Sequence, residues 1–492
     1  MHKMVPFDCI FGFARIPPSQ PPPPSLPPSF KKDLGATTKL FAHMVKVMPR
    51  VTPHYAVKCF PEPMVLATLA ACGAGFDCAS SGEVRQVLGL PGMDASRIIF
   101  ANPCKRFCDL ATITKCGVPN TTFDSHVELD KIATRCPKVG CVVRLRADDP
   151  TARMPFGVKY GALPSEVSSL LRHALKLGLS VTGASFHVGS GAGDPFAFRR
   201  AIASVRAAFD ELVAIDPAAA ARPWLVDLGG GFSGGFDAKG NAFVSVGSTG
   251  PNAVAVAIND ALDEFFPDEA FPGGLKIISE PGRYFAESSA HIVTRVFGKR
   301  ERLRAKPDVI NLLGAVSSSD EEEEKKGASS SDDDEEENKG ASDDEGGPGE
   351  VHYYLSDGIY GGFNAMVYDG WLPTAVPFRL GPNAEAQPLT ALARHGAPAT
   401  VFGPTCDSLD MVFSRLPACP ELEIGDWLLF PTCGAYTAAG ATDFNGIPSS
   451  PFTGNGILSH YVWSDCLAKT GADAKLTRLF NEVGPLSVKK NY

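Results

Sequence analysis

A chain of 492 residues, 44% of them hydrophobic, has room for two or three domains and a sizeable buried core. Its formal charge of −9 is concentrated, since residues 320 to 350 hold 15 acidic residues and 3 lysines and leave the remainder near +3; with no basic stripe carrying interleaved aromatics, a nucleic-acid partner is excluded. No apolar run approaches the roughly 20 residues of a membrane-spanning helix, and the start lacks a secretory pattern, so no membrane association and a cytoplasmic location are expected.

In chain order, the first feature is "IPPSQPPPPSLPPSF" (16–30), where prolines remove backbone donors and fix an extended course; residues 1–32 read as a proline-rich segment outside the packed domains. Eight short apolar runs follow: HYAVKC (54–59), GFDCAS (75–80), RIIFAN (97–102), TTFDS (121–125), CVVRLRA (141–147), TGASFHVGS (182–190), WLVDLGGG (224–231) and KIISEPGR (276–283). Amphipathic stretches such as "SEVSSLLRHALKLGL" separate them, the pattern of buried parallel strands with crossover helices. Eight such units predict an α/β fold with a (β/α)8 barrel over 33–289. Beyond it, VHYYLSDG, ATVFGPTC and DWLLFPTCGAY, with Gly, Pro and Asp turns, predict a mostly β domain over 290–492. Within that domain, residues 317–350 are low-complexity, with "KGAS" occurring twice, and are too charged to order themselves. Thirteen cysteines without a paired C-x-x-C spacing read as reduced thiols, with no metal.

Chemistry in such barrels gathers at the C-terminal ends of the strands. Those ends supply Lys58, Asp77, Arg144, His187 with Ser190, Gly229 to Gly231, and Glu280 with Arg283. Each alone has an ordinary reading as a solvated rim or packing residue; together they suit one cofactor. A partly desolvated lysine loses its charge readily and forms an imine with an aldehyde. Glycine N–H groups with Ser190 and the Arg283 fork suit a phosphate. A carboxylate such as Glu280 suits a protonated pyridine nitrogen, and these are the demands of pyridoxal 5'-phosphate.

The motifs "PHYAVKC", "GFDCASSGEV", "RIIFANPCK", "FHVGSG", "DLGGGF", "EPGRY", "YDG", "GPTCDSLD" and "GAYTAAGATDFNG" resemble those of the barrel-type pyridoxal-phosphate-dependent amino acid decarboxylases, in particular the eukaryotic ornithine decarboxylases, from about residue 33 onward. The resemblance implies that Lys58 carries the cofactor and His187 stacks on its ring, with Asp77, Arg144, Ser190, Gly229, Gly230, Gly231, Glu280, Pro281, Gly282, Arg283 and Tyr436 completing the cofactor site. It implies a substrate pocket of Tyr360, Tyr368, Asp369, Asp407 and Phe444, with Cys406 as proton donor to Cα. It also implies a homodimer with shared active sites, in which the "CDSLD" loop serves the partner and Lys159 pairs with Asp410 across the interface.

The activity implied is decarboxylation of ornithine, a small basic amino acid, to putrescine and CO2 in polyamine synthesis. Lysine, arginine or diaminopimelate as substrate, and an inactive antizyme-inhibitor-like regulator, are the alternatives; an antizyme-like protein is a candidate partner. Two departures carry structural expectations. The family's strand before "DLG" is replaced by the proline-rich run, so that sheet edge is absent or rebuilt, and Phe60 follows "VKC" where the family usually has asparagine.

Overall fold

The computed structural model describes residues 29–147, 149–150, 152, 154, 159–192, 194–234, 253–303, 348–381, 386–389, 398–416, 419–447 and 460–462. The proline-rich run up to residue 28, the acidic insert up to residue 347 and residues 156–158 of "FGVKYG" lie outside them. Among the described residues, no helix is long and apolar enough to cross a membrane.

Eight parallel strands close into a barrel: β2 (Thr52–Ala56), β3 (Gly75–Cys78), β4 (Ile98–Phe100), β5 (Asn120–Phe123), β6 (Gly140–Arg144), β7 (Val181–Ser185), β8 (Trp224–Asp227) and β9 (Leu275–Ser279). Each coincides with one of the eight apolar runs, as expected. Where a neighbour crosses tightly the strand carries glycine; a Cβ at Gly75 would overlap the His54 ring and one at Gly183 the backbone of Leu225. Inside, Ile99, Val142, Leu225 and Ile278 form a small apolar cluster of their own. Outside, the main core fills the space between strands and helices.

The helices show why they start and stop where they do. The helix Pro63–Cys72 opens with proline at its first position, where a missing N–H costs nothing, and the Glu62 carboxylate accepts from Met64 and Val65 N–H; it ends on Gly73 at φ 102°. The helix Pro195–Ile215 repeats the opening with Asp194, and buries Phe198, Ala201, Ile202, Val205, Phe209 and Leu212 at helical spacing against the barrel.

The second sheet has nine strands among the described residues. Its spine is β10 (Ala290–Leu303), which pairs antiparallel with β11 (Pro348–Leu355) along one edge and with β16 (Trp427–Phe430) along the other. β12 (Val376–Leu380) and β13 (Ala386–Pro388) extend it beyond β16, while β14 (Ala399–Phe402) and β15 (Met411–Leu416) extend it beyond β11. The edge expected to be absent or rebuilt is present. β1 (Ser29–Asp33) follows the prolines directly, pairing antiparallel with β10 and parallel with β17 (His460–Val462). A charged five-residue segment becomes a strand here because two distant strands supply its hydrogen bonds.

Candidate active site

The barrel delivers its functional groups on one rim. Lys58 stands two residues beyond β2, in the short turn Val57–Cys59, and Asp77 sits within the neighbouring β3. Arg144 closes β6 with its guanidinium 5.5 Å from the Tyr160 ring centroid. His187 and Ser190 follow β7, and Gly229 to Gly231 follow Asp227 at the end of β8. The triple glycine is demanded by what surrounds it. A Cβ at Gly230 would stand 2.8 Å from both His187 Nε2 and the Glu280 carbonyl oxygen; Gly231, at φ 107°, would meet the Gly189 carbonyl at 2.6 Å. Gly282, beyond β9, leaves room for Cys59, while the Pro281 carbonyl accepts from Ala56 N–H at 3.3 Å.

Lys58 is ion-paired with Asp77, whose carboxyl is buried and whose Oδ1 has no hydrogen-bond partner among the described residues. Burial alone would pull the ammonium down, but the charge of Asp77, with Glu280 and Tyr436 behind it, outweighs burial and holds Lys58 above the usual lysine range. In the chain by itself the side chain is a paired cation. His187 is driven the other way, since burial and then the charges of Arg144 and Lys58 hold it neutral.

Asp227 and Glu280, both buried, neighbour one another. Burial pushes Asp227 up to about 6, despite its acceptance of the Gly229 N–H at 2.9 Å; burial and then the charges of Asp227 and Asp77 push Glu280 well above the carboxylate range. With three carboxyls around one ammonium, the Glu280–Asp227 pair retains a proton. The sequence reading missed Asp227, although it stands in the "DLGGG" motif, and also Glu83, whose carboxylate accepts the Ala79 N–H at 2.6 Å beside the same acid group.

Arg283 links this rim to the β domain. Its Nε donates to Ser190 Oγ at 3.2 Å, and its Nη2 donates to both oxygens of Asp369 at 2.7 Å, with both side chains nearly buried. The guanidinium also lies 5.3 Å from the Tyr436 ring centroid. Tyr436, at φ 60°, is fixed by its N–H donating to the Cys59 carbonyl at 2.9 Å, directly beside Lys58. Arg283 and Asp369 had been assigned to separate ligands, yet within the chain they bind each other; 86 residues of separation hide such a pairing from the sequence.

The remaining expected residues form a second group. Tyr360 hydroxyl donates to the Asp407 carboxylate and its ring stacks on Phe444 at 4.2 Å; Cys406 N–H donates to Asn445 Oδ1 at 3.1 Å. Cys406 is exposed, and Tyr368 is 72% exposed. Among the described residues, the hydrogen bonds, ion pairs and ring contacts of Tyr360, Cys406, Asp407 and Phe444 stay within the loops of the β domain. Lys159 is exposed, its Nζ 5.2 Å from the Tyr160 ring centroid, whereas Asp410 is buried with its carboxylate accepting backbone N–H groups.

Comparison with known proteins bears on the same two domains. Residues 34–287 match the model of the pyridoxal binding domain of pyridoxal-dependent decarboxylases, and residues 284–434 that of their C-terminal sheet domain. A chloroplastic ornithine decarboxylase of Nicotiana glauca is 36% identical over 439 residues, 89% of this chain and 84% of the relative. An ornithine decarboxylase of Mus musculus is 36% identical over 414 residues, 84% and 77% of the two chains. Among solved structures, the Paramecium bursaria Chlorella virus arginine decarboxylase bound to agmatine superposes with a TM-score of 0.67 at 32% identity, covering 89% of this chain and 95% of its own.

Proposed function

The chain belongs to the pyridoxal-dependent decarboxylase family, and from that premise we propose that it converts L-ornithine to putrescine and CO2, in the cytoplasm, as an early step of polyamine synthesis. The observation that carries the reading is the meeting, on one barrel rim, of Lys58 with Asp77, the buried Glu280–Asp227 pair and the group of Gly229 to Gly231, Ser190 and Arg283. These residues fit the cofactor. Among the described residues Asp77 Oδ1 is buried without a hydrogen-bond partner, and Arg283 with Ser190 offers donors for phosphate oxygens.

When bound, pyridoxal phosphate supplies an electron-accepting ring conjugated to the amino acid's Cα. The chain's own groups do the rest. Lys58 Nζ would hold the cofactor covalently, with Asp77, its ion-pair partner, placed to take up its proton. The neutral His187 imidazole, packed on Gly230, offers an uncharged face for the ring. The Glu280–Asp227 pair would keep a ring nitrogen protonated, and Arg144 and Tyr436 would stand at the same rim. Asp369, already bound by Arg283, and Asp407 with Tyr360, Tyr368 and Phe444 would meet from two subunits, and two carboxylates at one pocket suit a substrate with a second ammonium over neutral side chains. Cys406 Sγ–H returns a proton to Cα after CO2 leaves.

The separation of the Cys406–Asp407 group from the Lys58 group supports a homodimer whose sites combine both halves. Exposed Tyr368, Leu372 and Leu409 give that loop face the apolar surface an interface uses. Lys159 and Asp410 belong to the same face in this reading, and an antizyme-like protein remains a further partner to assay. A CO2-release assay on ornithine, lysine, arginine and diaminopimelate with added cofactor tests the function. Ornithine is expected to lead. A lead for arginine, the substrate type named for the viral relative, would change the substrate alone, while no release from any of the four would overturn the enzyme.

A further inference from the structure

We propose that Asp357 and Asp410 are positioning residues that hold the Cys406–Asp407 loop in its working geometry, a role that rests on the reading of Cys406 as proton donor. Both are almost fully buried, on either side of Gly358, and within one chain each carboxyl accepts backbone N–H groups. Asp357 Oδ1 accepts from Gly358 N–H at 2.8 Å and from Gly362 N–H at 3.0 Å, winding residues 357–362 around one carboxyl. That turn presents Tyr360, whose hydroxyl donates to Asp407.

Asp410 joins this turn to the next. Its Oδ1 accepts from Ile359 N–H at 2.8 Å and its Oδ2 from Thr405 N–H at 2.9 Å, so a single side chain ties the residue before Tyr360 to the residue before Cys406. Any Cβ at Gly358 or Gly403 would overlap the Asp410 carboxyl, and any Cβ at Gly361 would overlap that of Asp357. Three glycines are thus spent on admitting two acids. The acids also face each other: burial, reinforced by the charge of Asp410, pushes Asp357 up to about 7, with the Cys433 thiol as its other titratable neighbour. Plain structural packing would be served by apolar side chains here; carboxyls with aimed oxygens serve a loop whose backbone must be held in one place.

The chemistry makes placement measurable. Breaking the Cα–carboxyl bond releases CO2 and leaves an electron pair, which takes the Cys406 Sγ proton to give the diamine; water reprotonates the thiolate. With the donor displaced, the pair is protonated on the cofactor instead, water then releases an aminoaldehyde, and the nitrogen stays on the cofactor. CO2 then outruns diamine, whereas general loss of structure lowers both together. A misplacement of about 1 Å costs up to roughly 10²-fold in rate.

The test measures diamine formed per CO2 released from ornithine, with kcat and KM, in holoenzyme carrying Asp357→Ala, Asp357→Asn, Asp410→Asn or Cys406→Ala. Cofactor absorbance and thermal melting serve as checks of folding. Asp357→Asn keeps Oδ1 for both glycine N–H groups but sets its NH2 near the Gly362 N–H that Oδ2 also accepts at 3.1 Å, so its ratio is expected to lie between those of Asp357→Ala and the unmodified enzyme. Asp357→Ala and Asp410→Asn are expected to fall below one, since the latter turns an amide NH2 toward a backbone N–H. Ratios of one in both of these, alongside a lowered ratio in Cys406→Ala, would overturn the positioning role and leave the donor standing. A ratio of one in Cys406→Ala would overturn the donor and the positioning role with it.

Discussion

Lys58 illustrates how much a neighbour decides at the scale of one residue. Its position at the end of a buried run marked it in the sequence, but the run says nothing of Asp77, 19 residues on, whose charge outweighs the cost of burial. The Arg283–Asp369 pair was equally invisible, and it carries a stability prediction. Asp369→Ala removes the bidentate partner of a nearly buried guanidinium and leaves it Glu287 at 3.8 Å, so it is expected to destabilise the cofactor-free protein by about 1.5–3 kcal/mol, read by denaturant unfolding. Added phosphate should restore part of that loss if Arg283 also serves a phosphate. Asp357 sets a pH prediction. Its carboxyl rises from 3.8 to about 7 on folding, so the folded state is favoured in full below 3.8 and that contribution is lost as pH climbs toward 7. The melting temperature of Asp357→Asn relative to the unmodified protein should therefore climb between pH 3.8 and 7 and then level; a flat difference across that window contradicts the assignment.

At the scale of elements, the eight barrel strands were legible because each is a short, mostly apolar or β-branched run bounded by turn residues, a signal that survives without knowledge of the partners. β1 was not legible. SFKKD has no apolar alternation, and only its backbone pairing with β10 and β17 makes it a strand. The turn after β8 falls between these cases. "GGG" marked a close approach, yet what approaches is known only from the fold: His187 and the Glu280 carbonyl on Gly230, and the Gly189 carbonyl on Gly231. Gly230→Ala should therefore push the imidazole off its seat, weakening cofactor affinity about tenfold or more, the equivalent of roughly 1.4 kcal/mol. Titration of the cofactor absorbance band measures it, and an unchanged affinity would count against His187 as the ring's neighbour.

The molecule as a whole is built so that the barrel and the sheet are not separable parts of the site. Tyr436 and Asp369 reach the barrel rim from the sheet domain of the same chain, while Cys406 and Asp407 face outward from it. Whole-molecule organisation decides which half a given chain completes. If sites combine two subunits, mixing Lys58→Ala with Cys406→Ala should recover about a quarter of normal activity, because half the dimers are mixed and each has one intact site. Absence of recovery after demonstrated subunit exchange would mean private sites.

The pairing of β1 also has a temporal side. A chain made from its first residue onward at about 5–20 residues per second exposes β1 well before β10 exists, and β17 follows on the order of 20–90 s after β1. Through that interval the barrel can close on its own, by the nearest-neighbour pairing of its eight strands, while β1 waits with unpaired backbone. Three successive lysine, lysine and aspartate residues, Lys31, Lys32 and Asp33, occupy that waiting strand, and charges on an open edge are what keep one nascent chain from pairing with another. The composition that concealed β1 as a strand thus suits it to remain solitary until its own partners are made.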